Sequence, residues 1–238
     1  MAKLRAPGKY KTVINLFESL SGKRSLWAAY QDVIEMIALT LQNSVEMYPA
    51  RYKKQEQRYL DIAKQYQKKE LETVAKIFAE LTLMLEDNPY QDLLGDLYMR
   101  LNMGSDALGQ FFTPYSISKM MALMTLDIDG VKSRIDKKGY ITIAEPCIGG
   151  GANIIGYLEV LKSNGINYQK SCIVVGQDLS RITALMAYVV LSLIGCQAVI
   201  KIGDTLSDPY TDFAAEVNKN DIWYTPMFVV NGGYMRGV

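Results

Sequence analysis

Glycines and acidic residues end three predicted strands, and their types and spacing suit a nucleoside ligand. Gly149, Gly150 and Gly151 follow one apolar run, and glycines at a strand-to-helix turn let a ligand approach the backbone closely. Asp178 ends the next apolar run, where a carboxylate can accept hydrogen bonds from two ribose hydroxyls. Asp204 ends a third run, where a carboxylate can accept one from an exocyclic amine such as adenine N6. Together the three positions predict a nucleoside-binding site.

The same residues have simpler interpretations, which stay open from the residues alone. Glycines also form ordinary tight turns, and acids are favoured in turns and at helix N-termini. The interval from Gly149 to Asp178 exceeds the ~20 residues of a dinucleotide-binding fingerprint, and the Gly-x-Gly-x-x-Gly pattern is missing. These two departures count against a nicotinamide cofactor.

The composition excludes several kinds of chemistry. The chain contains no histidine, which rules out Ser-His-Asp and Cys-His catalysis and histidine-ligated metals. Its three cysteines are far apart and form no Cys-x-x-Cys pair. We therefore expect no metal site and no disulfide framework.

Charge and hydropathy indicate a cytoplasmic protein with a polyanion among its candidate partners. Residues 1–69 hold 13 of the 26 basic residues but only 6 of the 25 acidic ones, which suits a nucleic acid and equally suits solvated helix surfaces. No apolar run reaches the ~20 residues of a membrane span. The N-terminal MAKLRAPGKYK is not followed by the apolar core of a signal peptide.

Elements that could position these residues follow from the hydrophobic periodicity. Apolar residues at three- and four-residue steps predict helices over 25–46, 51–66, 70–85 and 90–101, so residues 1–104 are expected to form an all-helical N-terminal domain. The second of these helices is the most basic. Its basic residues are Arg51, Lys53, Lys54, Arg58 and Lys64.

The remaining chain, residues 105–238, predicts an α/β domain. Strands are expected over 140–144, 171–175, 198–202 and 221–230, and helices over 116–126, 152–163 and 181–194. This alternation with short turns favours a parallel, doubly wound sheet, in which ligands lie at the carboxyl ends of the strands. Each glycine or acidic motif falls at such an end.

Four motifs, in this order, resemble the modification subunits of type I restriction systems, which are S-adenosylmethionine-dependent DNA adenine-N6 methyltransferases. They are Asp92-Leu-Leu-Gly-Asp-Leu-Tyr98, Gly109-Gln-Phe-Phe-Thr-Pro114, Glu145-Pro-Cys-Ile-Gly-Gly-Gly151 and Gly203-Asp-Thr-Leu206. The resemblance covers most of the chain, and the Gln-Phe-Phe-Thr-Pro run is its most specific part. It implies a Rossmann-like methyltransferase sheet, direct methyl transfer without a covalent enzyme intermediate, and DNA as partner.

The resemblance also implies a role for each candidate cofactor residue. Phe112 and Thr113 would line the methionine end of S-adenosylmethionine. Glu145 and the glycines Gly149, Gly150 and Gly151 would hold its amino-acid part. Asp178 would bind the ribose and Asp204 the adenine. A separate specificity subunit reads the DNA sequence in such systems, so a partner of that kind, or a second copy, is expected.

The resemblance is weakest at the predicted fourth strand. Family members carry Asn-Pro-Pro-Tyr or Asn-Pro-Pro-Phe there, whereas this chain has Thr225-Pro226-Met227-Phe228. Phe228 could still stack on a flipped base, and the Thr225 hydroxyl could accept a hydrogen bond, so Thr225, Pro226 and Phe228 are the expected target-base residues. Losing one well-placed acceptor lowers a rate by roughly 10²–10³-fold, by analogy with an oxyanion hole.

The family's sheet also has three further strands, so the sheet predicted for residues 105–238 is incomplete. Two alternatives to DNA adenine methylation follow from these departures. The first is a catalytically degenerate methyltransferase-like protein that binds S-adenosylmethionine and acts as a regulatory or decoy subunit. The second is methylation of another substrate, such as RNA or protein.

Overall fold

The computed structural model describes residues 8–22, 24–101, 112–211 and 221–233. Residues 109–111 of the Gly-Gln-Phe-Phe-Thr-Pro motif lie outside these ranges. Helices occupy most of the described part of the first hundred residues. They are α1 (Gly8–Leu20), α2 (Leu26–Asn43), α3 (Pro49–Ala63), α4 (Lys68–Asp87) and α5 (Leu93–Arg100).

A local signal marks the start of α2, and the burial pattern accounts for α1. Ser25 caps α2 as expected, because its side chain accepts a hydrogen bond from the Ala28 N–H. Helix α1 was not predicted, although Tyr10, Val13, Phe17 and Leu20 are buried at three- and four-residue steps. Helix α2 is buried on several sides, and it packs against α1, α3 and α10 (defined below).

The second part of the chain alternates helices and strands. In chain order the elements are α6 (Tyr115–Thr125), α7 (Ile128–Lys138), β1 (Ile141–Glu145), α8 (Ala152–Ser163), α9 (Tyr168–Ser171), β2 (Cys172–Asp178), α10 (Arg181–Leu193), β3 (Gln197–Ile202), β4 (Ile222–Tyr224) and α11 (Pro226–Val230). Helices α7 and α9 were not predicted. The fold is mixed α/β, as the sequence predicts.

The described strands form one sheet in the order β1-β2-β3-β4. The first three strands are parallel, with Ala144 opposite Val175 and Asp178 opposite Ile202. Their carboxyl ends therefore lie along the same edge of the sheet. This part of the prediction is confirmed, and it is the edge at which the glycines and acids were expected to meet.

The fourth strand differs from the prediction in length and direction. Strand β4 has three residues and runs antiparallel to β3, with Val199 opposite Tyr224. The expected strand over 221–230 is wrong beyond residue 224, because Pro226 begins helix α11. Proline lacks the N–H that a strand would use, and its fixed φ suits the first turn of a helix.

One large hydrophobic cluster joins α1–α5 to one face of the sheet. Its members include Tyr30 and Leu94 from the helices and Val174 and Ile200 from the strands. A smaller cluster covers the other face and consists of Ile173, Val199, Ile222, Tyr224 and Phe228. The expected domain boundary at residues 104 and 105 falls outside the described ranges and stays a prediction. In the described part of the chain, no helix has the length and apolar character needed to cross a membrane.

Candidate functional site

The glycine turn between β1 and α8 has the backbone geometry that a close-approaching ligand requires. Gly149 and Gly151 have φ angles of +54° and +94°, in the left-handed region that favours glycine. Gly151 is the N-cap of α8 and provides no side-chain cap. The first N–H groups of an α-helix have no partner within the helix, so the start of α8 is suited to an anionic group.

Hydrogen bonds bring the loops after β1, β2 and β3 together at the carboxyl edge of the sheet. The Gly149 N–H donates to Asp178 Oδ2 at 2.8 Å. The Gly203 N–H donates to the Asp178 carbonyl oxygen at 2.9 Å. The Thr205 hydroxyl donates to the Pro146 carbonyl oxygen at 2.6 Å, which ties the third loop to the first. The sequence-predicted glycines and the acids Asp178 and Asp204 therefore lie together at one edge of the sheet, where Gly149, Asp178 and Asp204 reach the surface and Gly150 and Gly151 are buried beneath it.

These loop contacts use part of the hydrogen-bonding capacity of the Asp178 carboxylate. Besides the Gly149 N–H on Oδ2, its Oδ1 accepts hydrogen bonds from the Ser180 N–H and the Thr183 hydroxyl, each at 2.9 Å. A carboxylate has about four acceptor positions, so about one remains for a ligand. The prediction of a carboxylate free to accept two ribose hydroxyls is thus reduced in this conformation to one acceptor position, on Oδ2.

Asp204 caps the turn that follows β3. Its carboxylate accepts hydrogen bonds from the Leu206 N–H at 3.0 Å and from the Ser207 hydroxyl at 2.9 Å. The hydrogen bond from the Leu206 backbone, followed by that from the Ser207 side chain, lowers the pKa of Asp204. The group is exposed and stays ionised near neutral pH, so it keeps acceptor capacity toward a ligand.

Glu145 lies at the end of β1 and is held by a short chain of hydrogen bonds. Its Oε1 accepts from the Cys147 N–H at 3.2 Å, and its Oε2 accepts from the Asn153 side chain at 3.3 Å. Asn153 in turn accepts a hydrogen bond from the Ser118 hydroxyl at 2.8 Å. The carboxylate is therefore fixed between the glycine turn and helices α6 and α8.

Phe112 borders the glycine turn, while Thr113 lies on the exposed segment before α6. A Cβ added to Gly149 would lie 3.6 Å from the Phe112 ring. That ring stacks edge-on against Tyr98 of α5, with the ring centroids 5.3 Å apart. The helical part of the chain thus holds Phe112 against the turn.

Asp92 is a site residue to which the sequence analysis assigned no role. It caps α5, where its Oδ1 accepts a hydrogen bond from the Gly95 N–H at 3.1 Å, and it is only 6% exposed. Burial, followed by repulsion from Asp96, raises the pKa of Asp92 to about 6. Its Oδ1 lies 3.5 Å from the position that a Cβ on Gly150 would occupy. The Asp-x-x-Gly spacing predicts a helix cap, but it does not reveal that this cap contacts the glycine turn.

The structure does not bring the predicted target-base residues to this surface. Since β4 is antiparallel to β3, the chain after Tyr224 lies at the amino end of β3, opposite the glycine turn. Thr225 is fully buried, and its hydroxyl donates to the Cys196 carbonyl oxygen at 2.7 Å and accepts from the Ala198 N–H at 2.9 Å.

Pro226 and Phe228 share that location. Pro226 is the first residue of α11, and the Phe228 ring is fully buried in the small cluster on the far face of the sheet. The family resemblance grouped Thr225, Pro226 and Phe228 with the cofactor residues, because they stand at the position of the motif that ends the family's fourth strand. The antiparallel β4 separates the two groups.

Comparisons with known proteins bear on this arrangement. A crystal structure described as a class I S-adenosylmethionine-dependent methyltransferase from Listeria monocytogenes matches with a TM-score of 0.45 and 13% identity, over 97% of this chain and 70% of that one. A type I restriction-modification system methyltransferase subunit from Streptococcus thermophilus matches with a TM-score of 0.41 and 16% identity, over 85% of this chain and 59% of that one. At such low TM-scores neither structure carries an inference about the function of this chain.

The sequence comparison is more specific. No curated protein matches the chain at a significant level. A family model described as N-6 DNA methylase matches residues 90–228, which is more than half of the chain and spans the DLLGDLY motif, the glycine turn, Asp178 and Asp204. The chain therefore belongs to the N-6 DNA methylase family of methyltransferases.

Proposed function

We propose that this chain is an S-adenosylmethionine-dependent DNA adenine-N6 methyltransferase that resembles a type I modification subunit. The observation that carries the proposal is the hydrogen-bonded surface at the carboxyl edge of β1–β3, within the segment that matches the N-6 DNA methylase family. The surface combines a glycine turn, an uncapped helix N-terminus and two acids. The helix N–H groups can donate to the carboxylate of an amino-acid tail, and the acids can accept hydrogen bonds from the hydroxyl and amino groups of a nucleoside.

Each residue of this surface has a task in the proposal. The start of α8 and Glu145 would hold the amino-acid part, with the first N–H groups of α8 binding its carboxylate. The free acceptor position of Asp178 would take a ribose hydroxyl, and Asp204 would accept a hydrogen bond from the adenine amine. Phe112 and Thr113 would close the methionine end beside Gly149. The bound cofactor supplies the electrophilic methyl group.

DNA as the substrate rests on the family and on the basic surface of α3. Arg58 pairs with Glu35 and Lys64 pairs with Asp61, whereas Lys53 and Lys54 are exposed. Two neighbouring exposed lysines suit a phosphodiester backbone. A specificity-type subunit or a second copy would add the recognition of DNA sequence.

A second candidate function is supported by the position of Thr225. The buried Thr225 hydroxyl makes both of its hydrogen bonds with backbone groups at the start of β3, at Cys196 and Ala198. In this conformation it is therefore not an acceptor for a flipped base. A degenerate member of the family that binds S-adenosylmethionine and serves as a regulatory or decoy subunit would have this property. The two functions share the cofactor surface and differ in catalysis.

Two measurements separate the candidates. Calorimetry with S-adenosylmethionine tests the cofactor surface, with Asp178→Ala as the variant expected to weaken binding. Transfer of a labelled methyl group to unmethylated DNA, followed by nucleoside analysis, tests catalysis. Label in N6-methyladenine supports the methyltransferase, whereas cofactor binding without label supports the regulatory subunit. If S-adenosylmethionine does not bind, both functions are refuted.

A further inference from the structure

Asp92 is a buried acid whose position a helix cap alone does not explain. The chain has a second helix capped in the same way, α7, where the Gly130 N–H donates to Asp127 Oδ1 at 3.0 Å. The corresponding distance at Asp92 is 3.1 Å. Asp127 is exposed, whereas Asp92 is 94% removed from solvent, and its Oδ1 lies 3.5 Å from the position that a Cβ on Gly150 would occupy. A cap requires only the short hydrogen bond, and this works as well at an exposed position.

No cation neutralises Asp92 within the described ranges. Its carboxylate has one hydrogen bond there, from the Gly95 N–H, and it takes part in no ion pair. The nearest acid is Asp96, one helical turn away, whose charge adds to the cost of ionising Asp92. The neighbouring hydroxyl groups of Tyr10 and Tyr30 are uncharged, because burial raises the pKa of both. Buried carboxylates are rarely left unpaired, so the missing partner is the notable feature.

The free acceptor positions of Asp92 lie beside the proposed cofactor surface. A Cβ on Gly150 would stand 3.5 Å from Asp92 Oδ1 and 3.7 Å from the Gly95 nitrogen, so the first turn of α5 packs directly on the glycine turn. Phe112 flanks the neighbouring Gly149 in the same way.

We propose that Asp92 is a cofactor-binding residue whose carboxylate pairs with the ammonium group of the amino-acid part of S-adenosylmethionine at Gly150. This inference rests on the proposed function, because it assumes that S-adenosylmethionine binds at the glycine turn. An ammonium group provides the positive charge and the N–H donors that the carboxylate lacks. The helical part of the chain would thereby form one wall of the cofactor site.

The test compares ligands that differ in the amino-acid part. S-Adenosylmethionine and S-adenosylhomocysteine both carry the ammonium group, whereas 5′-methylthioadenosine lacks the whole amino-acid part. Asp92→Asn keeps a good N-cap but removes the charge. We expect it to weaken binding of the first two ligands about ten- to a hundredfold, the range of one charge-assisted hydrogen bond, and to leave 5′-methylthioadenosine binding unchanged. Asp127→Asn is the matched control and should change none of the three affinities.

A second readout uses the unaltered protein. Binding of an ammonium group lowers the pKa of Asp92, so calorimetry near pH 6 in two buffers of different ionisation enthalpy should show proton release, and Asp92→Asn should abolish it. Equal weakening of all three ligands by Asp92→Asn would refute the proposal, since that would indicate a role in holding the turn. Unchanged affinities would refute it as well. If the unaltered protein binds none of the ligands, the proposed function itself fails.

Discussion

Replacing Asp92 with asparagine should stabilise the cofactor-free protein at neutral pH, although it removes a charge from a helix N-terminus. Burial and the nearby Asp96 raise the pKa of Asp92 to about 6. In the unfolded chain an aspartate has a pKa of about 3.9. A difference of about two pKa units corresponds to roughly 3 kcal/mol of stability lost when Asp92 is ionised.

The sign of the pH dependence follows from the raised pKa. Because the folded protein binds the Asp92 proton more tightly than the unfolded chain does, the stability contributed by the neutral acid is fully present below about pH 4 and is lost as the pH rises through about 6. Asparagine cannot ionise and still accepts the hydrogen bond from the Gly95 N–H. The pKa of about 6 already includes the favourable interaction of the charge with the helix N-terminus, so the expected gain at pH 8 is roughly 3 kcal/mol.

Urea unfolding followed by circular dichroism at pH 4, 6 and 8, without cofactor, measures this effect. The free energy of unfolding of Asp92→Asn should exceed that of the unaltered protein at pH 8, and the two should converge at pH 4. Asp127→Asn serves as the control, because it removes a charge from the same kind of cap at an exposed position. Two results would refute this reasoning. Asp92→Asn could be destabilised at pH 8 as much as Asp127→Asn, or its difference in unfolding free energy from the unaltered protein could stay constant with pH. Either result would show that another group stabilises the Asp92 charge.

Three further outcomes follow from the structure. Thr225→Val should lower the free energy of unfolding by about 1–3 kcal/mol, because it removes the hydroxyl that pairs with the buried Ala198 N–H and with the Cys196 carbonyl oxygen. The same variant should leave cofactor affinity unchanged in calorimetry. Gly151→Ala should cost roughly 1–2 kcal/mol in urea unfolding, since its φ of +94° strains any residue with a Cβ, and it should weaken S-adenosylmethionine binding. Replacing both Lys53 and Lys54 by glutamine should weaken the salt dependence of DNA binding. The slope of the logarithm of the binding constant against the logarithm of the salt concentration, measured by fluorescence anisotropy, should fall in magnitude by about two.

Matched controls exist for the threonine and glycine replacements. Thr142 is exposed on β1, so Thr142→Val should change stability little, and a comparable loss at both threonines would contradict the role of the Thr225 hydroxyl. Gly139 also has a positive φ but ends α7, so Gly139→Ala should cost stability without changing cofactor affinity. An unchanged salt slope after the lysine replacements would remove α3 from the proposed DNA surface.

The structure separates the expected target-base residues from the cofactor surface, and it thereby changes the reason for which Thr225 departs from the family. The sequence placed the doubt at Thr225 because threonine is a poorer acceptor than asparagine. In the structure the larger difficulty is location, since the hydroxyl bonds to the backbone at Cys196 and Ala198 on the amino side of β3. A base-binding role for Thr225 would require β4 and α11 to take another position relative to β3.

The parts of this protein that the sequence determined are those governed by local pattern. The spacing of apolar residues specified β1, β2, β3 and the connecting helices α8 and α10, and parallel strands joined by helices place their carboxyl ends along one edge. The meeting of the glycine turn, Asp178 and Asp204 follows from that rule alone. Ser25 as a helix cap was equally local.

The tertiary structure decided what depends on contacts between distant segments. A three-residue strand such as β4 carries too little pattern to specify its partner or direction, and its pairing with β3 moved Thr225 away from the cofactor surface. The two Asp-x-x-Gly caps make the same point. Asp92 and Asp127 are alike in sequence and in cap geometry, yet only the tertiary structure buries Asp92 beside the glycine turn and gives its charge a consequence.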